Sequence, residues 1–438
     1  MRAFFNLAVA AATTFIAQTI AAPMPIVVSP GDAGDIVITE QNTVNGTHAP
    51  VNKNTASNPL KISLVNNFGG GQLNVYVSGL DTNGAVVMLS GDGSWYYPNP
   101  AGSAVPVAID ANANIAHPMN IQGQTTEFTL PDYLSSGRIW VAEGDLQFFT
   151  VAAADGSAQL VEPSAANPSD PSAAVNWGFV EFTNTEEGGM YANISFVDFV
   201  GLVMGMKLTL GNGQTQVVQG LQQNAVSAIC DELKAQAAQD GQPWDKLCVT
   251  DSSGKPLRIL APNLYLSIDP TAMSDYYDSY IDSVWQKYAS EDLTIATQSA
   301  AGNVACRVSG DQLTCAGDNR GYPKPTMIDI WGCNSGPFGI QGGDNEVHRA
   351  VVARLCAAFY RTTLLMDGGN LQPSLGRDSY YTQSPTSHYA RLVHKHELDG
   401  KGYAFSFDDV NPEGQNEAGV VSGPNPTALE LTVGGFSS

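Results

Sequence analysis

Positive charge is scarce in this sequence. Its 438 residues include 20 Lys and Arg against 42 Asp and Glu, so the net charge is −22 and the pI is about 4.4. Such a protein repels phosphate backbones and anionic lipid headgroups, which argues against nucleic-acid or membrane partners. With 43% hydrophobic residues, the chain is still apolar enough to fold. The composition indicates an acidic globular protein whose partners are neutral or cationic.

The motifs of several catalytic classes are missing as well. The six cysteines form no Cys-x-x-Cys pair, and the six histidines form no His-Glu-x-x-His motif. The chain also lacks a Gly-x-Ser-x-Gly motif and internal repeats. These absences argue against a zinc protein, a metalloprotease, a serine hydrolase and a repeat-built wall protein. The sequence predicts no metal and no cofactor.

The N-terminus is typical of an exported protein. Arg2 precedes an apolar stretch from Ala3 to Ile20, and the small residues Ala21 and Ala22 follow it. This arrangement predicts a signal peptide over residues 1–22 and a secreted, extracellular protein.

A polar segment over residues 23–58 follows. It is rich in Pro, Asn, Thr, Ser and Gly, so we expect a tail or propeptide without a core of its own. Asn45 begins an Asn-Gly-Thr sequon in this segment and is the expected glycosylation site.

The cysteines agree with export, and geometry suggests one pairing. A two-residue turn at Gly310-Asp311 would place Cys306 directly opposite Cys315. Cα atoms in such a non-hydrogen-bonded pair are about 4.5 Å apart, which suits a disulfide. For the other four cysteines, only closeness in sequence favours the pairs Cys230–Cys248 and Cys333–Cys356.

Short strands separated by turn residues dominate the chain from Leu60 to about residue 200, as in a β-sandwich or barrel. Clear examples are Leu60–Val65, Gln72–Val77, Ala85–Leu89, Thr126–Leu130, Arg138–Ala142 and Leu146–Val151, with two more around Phe179 and Phe196. Strand patterns return at Tyr403–Phe407 and Ala428–Val433. We expect the last strand to close a barrel begun by the first.

Helical periodicity appears in the middle of the chain. It predicts helices over residues 224–239, after Ser274 and over Glu346–Leu365, with strands such as Met327–Trp331 between them. The predicted fold class is therefore β-rich with α/β. We expect two domains with a cleft between them. They are a β-barrel or sandwich over residues 59–205 and 396–438, and a mixed α/β domain over residues 206–395.

The segment 177–201 is the most suggestive of catalysis. If Gly188 and Gly189 are the two residues of a tight turn, Glu181 lies diagonally across the hairpin from Asp198, about 7–8 Å away. Inverting glycosidases hold two carboxyl groups roughly 6.5–9.5 Å apart. Apolar neighbours would raise the pKa of one carboxyl group, so that one acts as acid and the other as base. An ordinary hairpin with both groups in solvent is the alternative.

This hairpin resembles the active-site hairpin of glycoside hydrolase family 64, the β-1,3-glucanases related to thaumatin-like proteins. That family carries a Glu-aromatic-Thr strand and a following Val-Asp strand, here Glu181-Phe182-Thr183 and Val197-Asp198. The resemblance covers roughly residues 59–438 and extends through Tyr280–Trp285, Trp331–Phe338, His348–Cys356, Tyr403–Val410 and Leu429–Gly435.

The resemblance implies a thaumatin-like barrel or sandwich and an α/β domain that together form a wide groove. It implies an inverting endo-β-1,3-glucanase that releases short laminari-oligosaccharides, typically the pentasaccharide. By the same resemblance, Glu181 is the general acid and Asp198 the base that activates water. Sugar-binding positions match Thr183, Asn184, Tyr191 and Ser195.

The alternative function is a non-catalytic, thaumatin-like glucan-binding or defence protein. Such a binder needs no pair of carboxylates, and small proteins of that type are shorter and richer in disulfides. In either case the expected partner is β-1,3-glucan, a neutral polymer that an acidic protein approaches without electrostatic cost. The expected state is a monomer.

Overall fold

A computed structural model describes residues 25–47, 59–415 and 418–436. The predicted signal peptide lies outside these residues. Within them the chain is β-rich with few helices, as the strand patterns predict. None of the described helices combines the length and apolar composition needed to cross a bilayer.

The strands of the described residues are mostly short and are numbered here in chain order. They are β1 (Ile26–Val27), β2 (Thr43–Asn45), β3 (Leu60–Asn66), β4 (Leu73–Leu80), β5 (Val86–Leu89), β6 (Trp95–Tyr96), β7 (Val107–Ala108), β8 (His117–Pro118), β9 (Thr125–Leu130), β10 (Leu134–Glu143), β11 (Phe149–Ala152), β12 (Ala158–Val161), β13 (Asn176–Thr185), β14 (Gly189–Asn193), β15 (Phe199–Val200), β16 (Met204–Leu210), β17 (Thr215–Val218), β18 (Cys248–Thr250), β19 (Pro256–Leu260), β20 (Leu293–Ala296), β21 (Asn303–Ser309), β22 (Gln312–Cys315), β23 (Tyr322–Pro323), β24 (Leu371–Gln372), β25 (Val420–Gly423) and β26 (Pro426–Val433).

The helices lie between β17 and β25. They are α1 (Ala225–Asp240), α2 (Pro262–Tyr265), α3 (Asp278–Ser290), α4 (Met327–Gly332), α5 (Glu346–Tyr360) and α6 (His388–His396). Single 3₁₀ turns cover Ala33–Asp35, Ala111–Ala113, Trp244–Leu247, Gly336–Phe338 and Arg377–Ser379. The aromatic residues of α3 are buried, so they pack in the core.

The largest sheet has the order β25-β14-β13-β10-β4-β5-β6, with β8 also paired to β4. A second sheet has the order β17-β16-β26-β3-β9. Smaller sheets are β2-β12-β11-β7, β1-β18-β19-β15 and β23-β22-β21-β20-β24. Buried apolar side chains from these sheets and the helices form one large continuous cluster.

The last strand, β26, pairs in parallel with β3, the first strand that the sequence predicts, with Leu429 opposite Ile62. This confirms the expected pairing between the two ends of the chain. On its other edge β26 pairs with β16. β16 spans Met204–Leu210, so the predicted domain boundary at residue 206 falls within this strand. The strand belongs to the same sheet as β3 and β26.

Two predicted strands are wrong. Met327–Trp331 lies in α4, because Thr326 and Asp329 form a capping box: each side chain accepts a hydrogen bond from the other residue's backbone N–H. Tyr403–Phe407 forms only a single bridge to Ser195 and then turns. The turn is held by Asp408, whose carboxylate accepts a hydrogen bond from the Ala404 N–H at 2.7 Å.

The predicted hairpin register is also wrong. Glu181 lies opposite Asn193, and Thr185 lies opposite Gly189, so the turn has three residues, Glu186–Gly188. Gly189, the first strand residue after the turn, adopts φ 67°, a left-handed conformation that glycine takes without steric cost. The 7–8 Å diagonal derived from a two-residue turn therefore does not apply.

The six cysteines form three disulfides, Cys230–Cys248, Cys306–Cys315 and Cys333–Cys356. In the hairpin of β21 and β22, Ser309 faces Gln312, so Gly310-Asp311 is the two-residue turn that the sequence predicts. The Cα atoms of Cys306 and Cys315 are 4.0 Å apart.

The segment 25–47 contributes two strands to the sheets. β1 pairs with β18 and β2 pairs with β12, and Val28 is buried. Asn45, the expected glycosylation site, is exposed at the end of β2. This segment has little core of its own and packs against the rest of the chain.

Candidate active site

A row of three polar residues crosses the largest sheet. Arg138 of β10 lies opposite Glu181 of β13, which in turn lies opposite Asn193 of β14. Directly paired residues of antiparallel strands project from the same face of a sheet. The alternation of β13 adds Phe179 and Thr183 to this face and sends Phe182 into the core.

Arg138 is the electrostatic centre of the row. One guanidinium nitrogen, Nη1, donates to Glu162 Oε2, and Nη2 donates to Glu181 Oε1 at 3.1 Å. Its guanidinium carbon lies 4.5 Å from the centre of the Phe179 ring. Burial alone would lower the pKa of Arg138, but Glu162, Glu181 and Asp198 together raise it, so the arginine stays charged.

Glu162 forms a buried ion pair with Arg138. Its side chain is 1% exposed and also accepts a hydrogen bond from Ser78 Oγ at 3.2 Å. Ser78 Oγ in turn accepts from the indole N–H of Trp140 at 3.0 Å. This chain of bonds restricts the guanidinium to one position. The Glu181 side chain, in contrast, is 34% exposed and faces the cleft.

Asp198 approaches the same arginine from a different element. It lies in the loop just before β15, where its carbonyl accepts a hydrogen bond from the Ala261 N–H at 2.8 Å. No residue in the described ranges donates a hydrogen bond to its carboxylate. Burial raises the pKa of Asp198, Arg138 opposes this shift, and the charge of Glu181 adds to it. Asp198 is therefore a stronger base than an exposed aspartate.

Two adjoining cavities lie along this row, and Arg138 lines both. One contains Asp198 with the aromatic residues Trp140, Trp177, Phe179 and Phe199. The other is lined by Glu181, Thr183, Tyr191 and Asn193. Four of the six catalytic and substrate-binding residues predicted from the sequence, Glu181, Asp198, Thr183 and Tyr191, thus share one cleft.

Asn184 and Ser195 line neither cavity. Asn184 alternates with Thr183 along β13 and is 1% exposed, so it points away from the cleft. Ser195 is bridged to Tyr403, and its hydroxyl oxygen accepts a hydrogen bond from the Val197 N–H at 3.5 Å. A sugar contact by Asn184 does not fit its position.

Sequence reasoning missed Arg138 and Asn193, which line the cleft, and Glu162, which is buried behind Arg138. Asn193 was hidden by the register error, since it occupies the position opposite Glu181. The sequence contained a sign of the role of Arg138, because a charged residue in an apolar strand needs a buried partner of opposite charge. Nothing near Glu162 in the sequence marks it as that partner, since it begins a loop rich in Pro, Ser and Ala.

The model of glycoside hydrolase family 64, the β-1,3-glucanases, matches residues 58–433. The chain belongs to this family. Family 64 membership makes the protein a glycoside hydrolase, so the non-catalytic alternative is excluded.

Known β-1,3-glucanases are similar to this protein over most of its length. Glucan endo-1,3-β-glucosidases from Cellulosimicrobium cellulans and Arthrobacter sp. (strain YCWD3) are each 28% identical over 407 residues, which span 92% of this chain and 69% of the relative. A laminaripentaose-producing β-1,3-glucanase in complex with laminaritetraose has a TM-score of 0.73 at 27% identity, covering 86% of this chain and 98% of that one. A β-1,3-glucanase domain of family 64 from Clostridium beijerinckii has a TM-score of 0.64 at 21% identity. The match covers 86% of this chain and 98% of that domain, and it supports the fold alone.

Glu162→Gln should shift the pH profile of this family 64 enzyme towards acid. Removing the buried negative charge leaves Arg138 more available to Asp198, which favours the ionised form of that aspartate. We expect the acidic limb of the kcat/KM profile, which the base Asp198 sets, to move down by about 0.5–1 pH unit. The matched control is Glu430→Gln, because Glu430 pairs with Lys207 on the partly exposed surface of β26. Identical profiles for both variants would rule out a positioning role for Glu162.

Proposed function

We propose that this enzyme is a secreted, monomeric endo-β-1,3-glucanase that hydrolyses β-1,3-glucan with inversion and releases short laminari-oligosaccharides, chiefly the pentasaccharide. The glucan would lie in a groove between a thaumatin-like barrel and the α/β part of the chain. The observation that carries the proposal is the placement of Glu181 and Asp198 in two adjoining cavities joined by Arg138. The laminaripentaose-producing relative supports the product length.

The charges around Arg138 act on the ionisation of Asp198. Glu162 is fully buried and already balances the arginine, so Glu181 and Asp198 act on each other as like charges. The charge of Glu181 therefore adds to burial in raising the pKa of Asp198. In other catalytic carboxyl pairs, one group acts as the acid and the other as the base. The site can thus supply an acid and a base at the same time.

We assign the acid to Glu181 and the base to Asp198. Glu181 lies on the more open side, with Thr183 and Tyr191 beside it, where a leaving sugar can accept its proton. Asp198 has a raised pKa and a carboxylate free of donors among the described residues, so it can accept a proton from water. Water attacks the anomeric carbon, the glycosidic oxygen leaves with the proton of Glu181, and the water's proton passes to Asp198.

Incubation with laminarin tests this proposal directly. We expect a pentasaccharide as the main early product, observed by size separation. NMR of the first products should show the α-anomer before mutarotation, because inversion at a β-linkage gives α. Initial β-anomer would contradict inversion, and release of glucose alone would contradict internal cleavage.

A further inference from the structure

A short stretch of the N-terminal segment lies along the cleft. Thr39, Gln41 and Asn42 line the cavity that contains Asp198, and Val44 lines the cavity that contains Glu181. These residues precede the part of the chain that the family model matches, which begins at residue 58. Residues 39–44 therefore follow the cleft past both carboxylates.

This stretch is anchored at the catalytic centre. The Glu162 N–H donates to the Asn42 carbonyl at 2.8 Å, directly behind the carboxylate that binds Arg138. Pairing of Val44 with Leu160 continues the contact along β2 and β12. Because the backbone of Glu162 carries this contact, residues 39–44 hold a defined position relative to Arg138.

Internal hydrogen bonds shape the stretch before it reaches the cleft. The Asn42 side chain is buried, accepts from the Thr39 N–H at 2.7 Å and donates to the Val37 carbonyl at 2.8 Å. Gln41, between them, is exposed, and no hydrogen bond to its amide is present within the described part of the chain. An uncharged amide can both donate to and accept from a sugar hydroxyl.

We propose that residues 39–44 form one wall of the glucan groove and that Gln41 binds a sugar hydroxyl on the Asp198 side. This inference rests on the proposed function, since it concerns how the same substrate is held. The cavity-lining residues of this wall, Thr39, Gln41, Asn42 and Val44, are uncharged, and Glu40 lines neither cavity. Uncharged polar groups suit a neutral polysaccharide, because its hydroxyls need hydrogen-bond partners when water is displaced. The wall belongs to the N-terminal segment and lies outside the region that the family model matches.

Calorimetric binding of laminaritetraose to the full chain carrying Asp198→Asn tests the wall without turnover. Adding Gln41→Ala should weaken the Kd about 3- to 10-fold, as expected for one lost hydrogen bond to a neutral group. Gln239→Ala is the matched control, because Gln239 is exposed near the end of α1, away from the cleft. In the active enzyme, Gln41→Ala should raise KM with little change in kcat.

The possible results distinguish a failure of the proposed wall from a failure of the proposed function. An unchanged Kd for Gln41→Ala, equal to that of Gln239→Ala, would overturn the wall alone. Tighter binding would also overturn it, because it would show that Gln41 obstructs the groove. If the Asp198→Asn chain and the active enzyme both fail to bind laminaritetraose, the proposed function fails and the wall fails with it.

Discussion

Asp198→Asn should lower kcat on laminarin by about 10²- to 10⁴-fold, the usual contribution of a positioned acid or base. Asparagine keeps the shape of the side chain but cannot take a proton from water. Glu181→Gln should lower kcat on laminarin to a similar extent, because the amide has no acidic proton for the leaving sugar. Steady-state kinetics on laminarin, with circular dichroism to confirm folding, measures both effects.

An activated substrate separates the two roles. Fluoride leaves without protonation, so Glu181→Gln should keep much of its activity on a laminari-oligosaccharyl fluoride, whereas Asp198→Asn should stay slow. Glu187→Gln is the matched control, because Glu187 is exposed in the hairpin turn away from both cavities. A fully active Glu181→Gln enzyme would refute the assignment, and the reverse pattern on fluoride would exchange the roles of Glu181 and Asp198.

Asp408→Asn should destabilise the fold by about 3–5 kcal/mol, the usual cost of removing one partner from a buried ion pair. Asp408 is buried between Arg361 Nη2, at 3.0 Å, and His394 Nε2, at 3.1 Å. The opposite nitrogen of His394 contacts Glu397 Oε2 at 2.9 Å. Asp408 is thus part of a buried ionic cluster. The midpoint of urea unfolding measures the loss.

The contribution of this cluster depends on pH in a defined way. Burial alone would lower the pKa of His394, but Glu397 and Asp408 raise it well above its ordinary 6.5. Burial would raise the pKa of Asp408, but His394 and Arg361 lower it below 3.8. The contribution of protonated His394 to the free energy of unfolding is complete below pH 6.5 and is lost as pH rises through the pKa of His394 in the folded state. The aspartate contribution is complete above pH 3.8 and is lost as pH falls through its folded pKa.

The stability difference between wild type and His394→Gln should therefore be greatest between pH 3.8 and pH 6.5 and smaller at high pH. Urea unfolding at pH 5 and pH 9 compares the two conditions. Asp292→Asn is the control for Asp408→Asn, because Asp292 pairs with Arg307 on the surface and should contribute at most about 1 kcal/mol. Equal losses for the two aspartate variants would contradict the importance of burial.

Local sequence patterns predicted much of the scaffold. Alternation placed β3 and β26 within a residue or two of their ends, and a Gly-Asp turn set the register between Cys306 and Cys315 correctly. The same approach failed at the hairpin of β13 and β14, where two adjacent glycines favoured a two-residue turn. The turn has three residues because Gly189 takes a left-handed conformation beside the backbone of Gly423, too close for any Cβ. Gly423 is distant from Gly189 in sequence, so the local pattern does not reveal this contact.

The sequence by itself determined the acidic composition, the strand carrying Glu181 and Thr183, and the family motifs around Asp198. Only the tertiary structure decided how these residues meet. Arg138 and Glu162 enter the site through strand pairing and burial, and residues 39–44 enter through contact with β12. The physical reason is that periodicity reports which face of an element is buried, whereas the partner of a buried charge depends on contacts between distant segments.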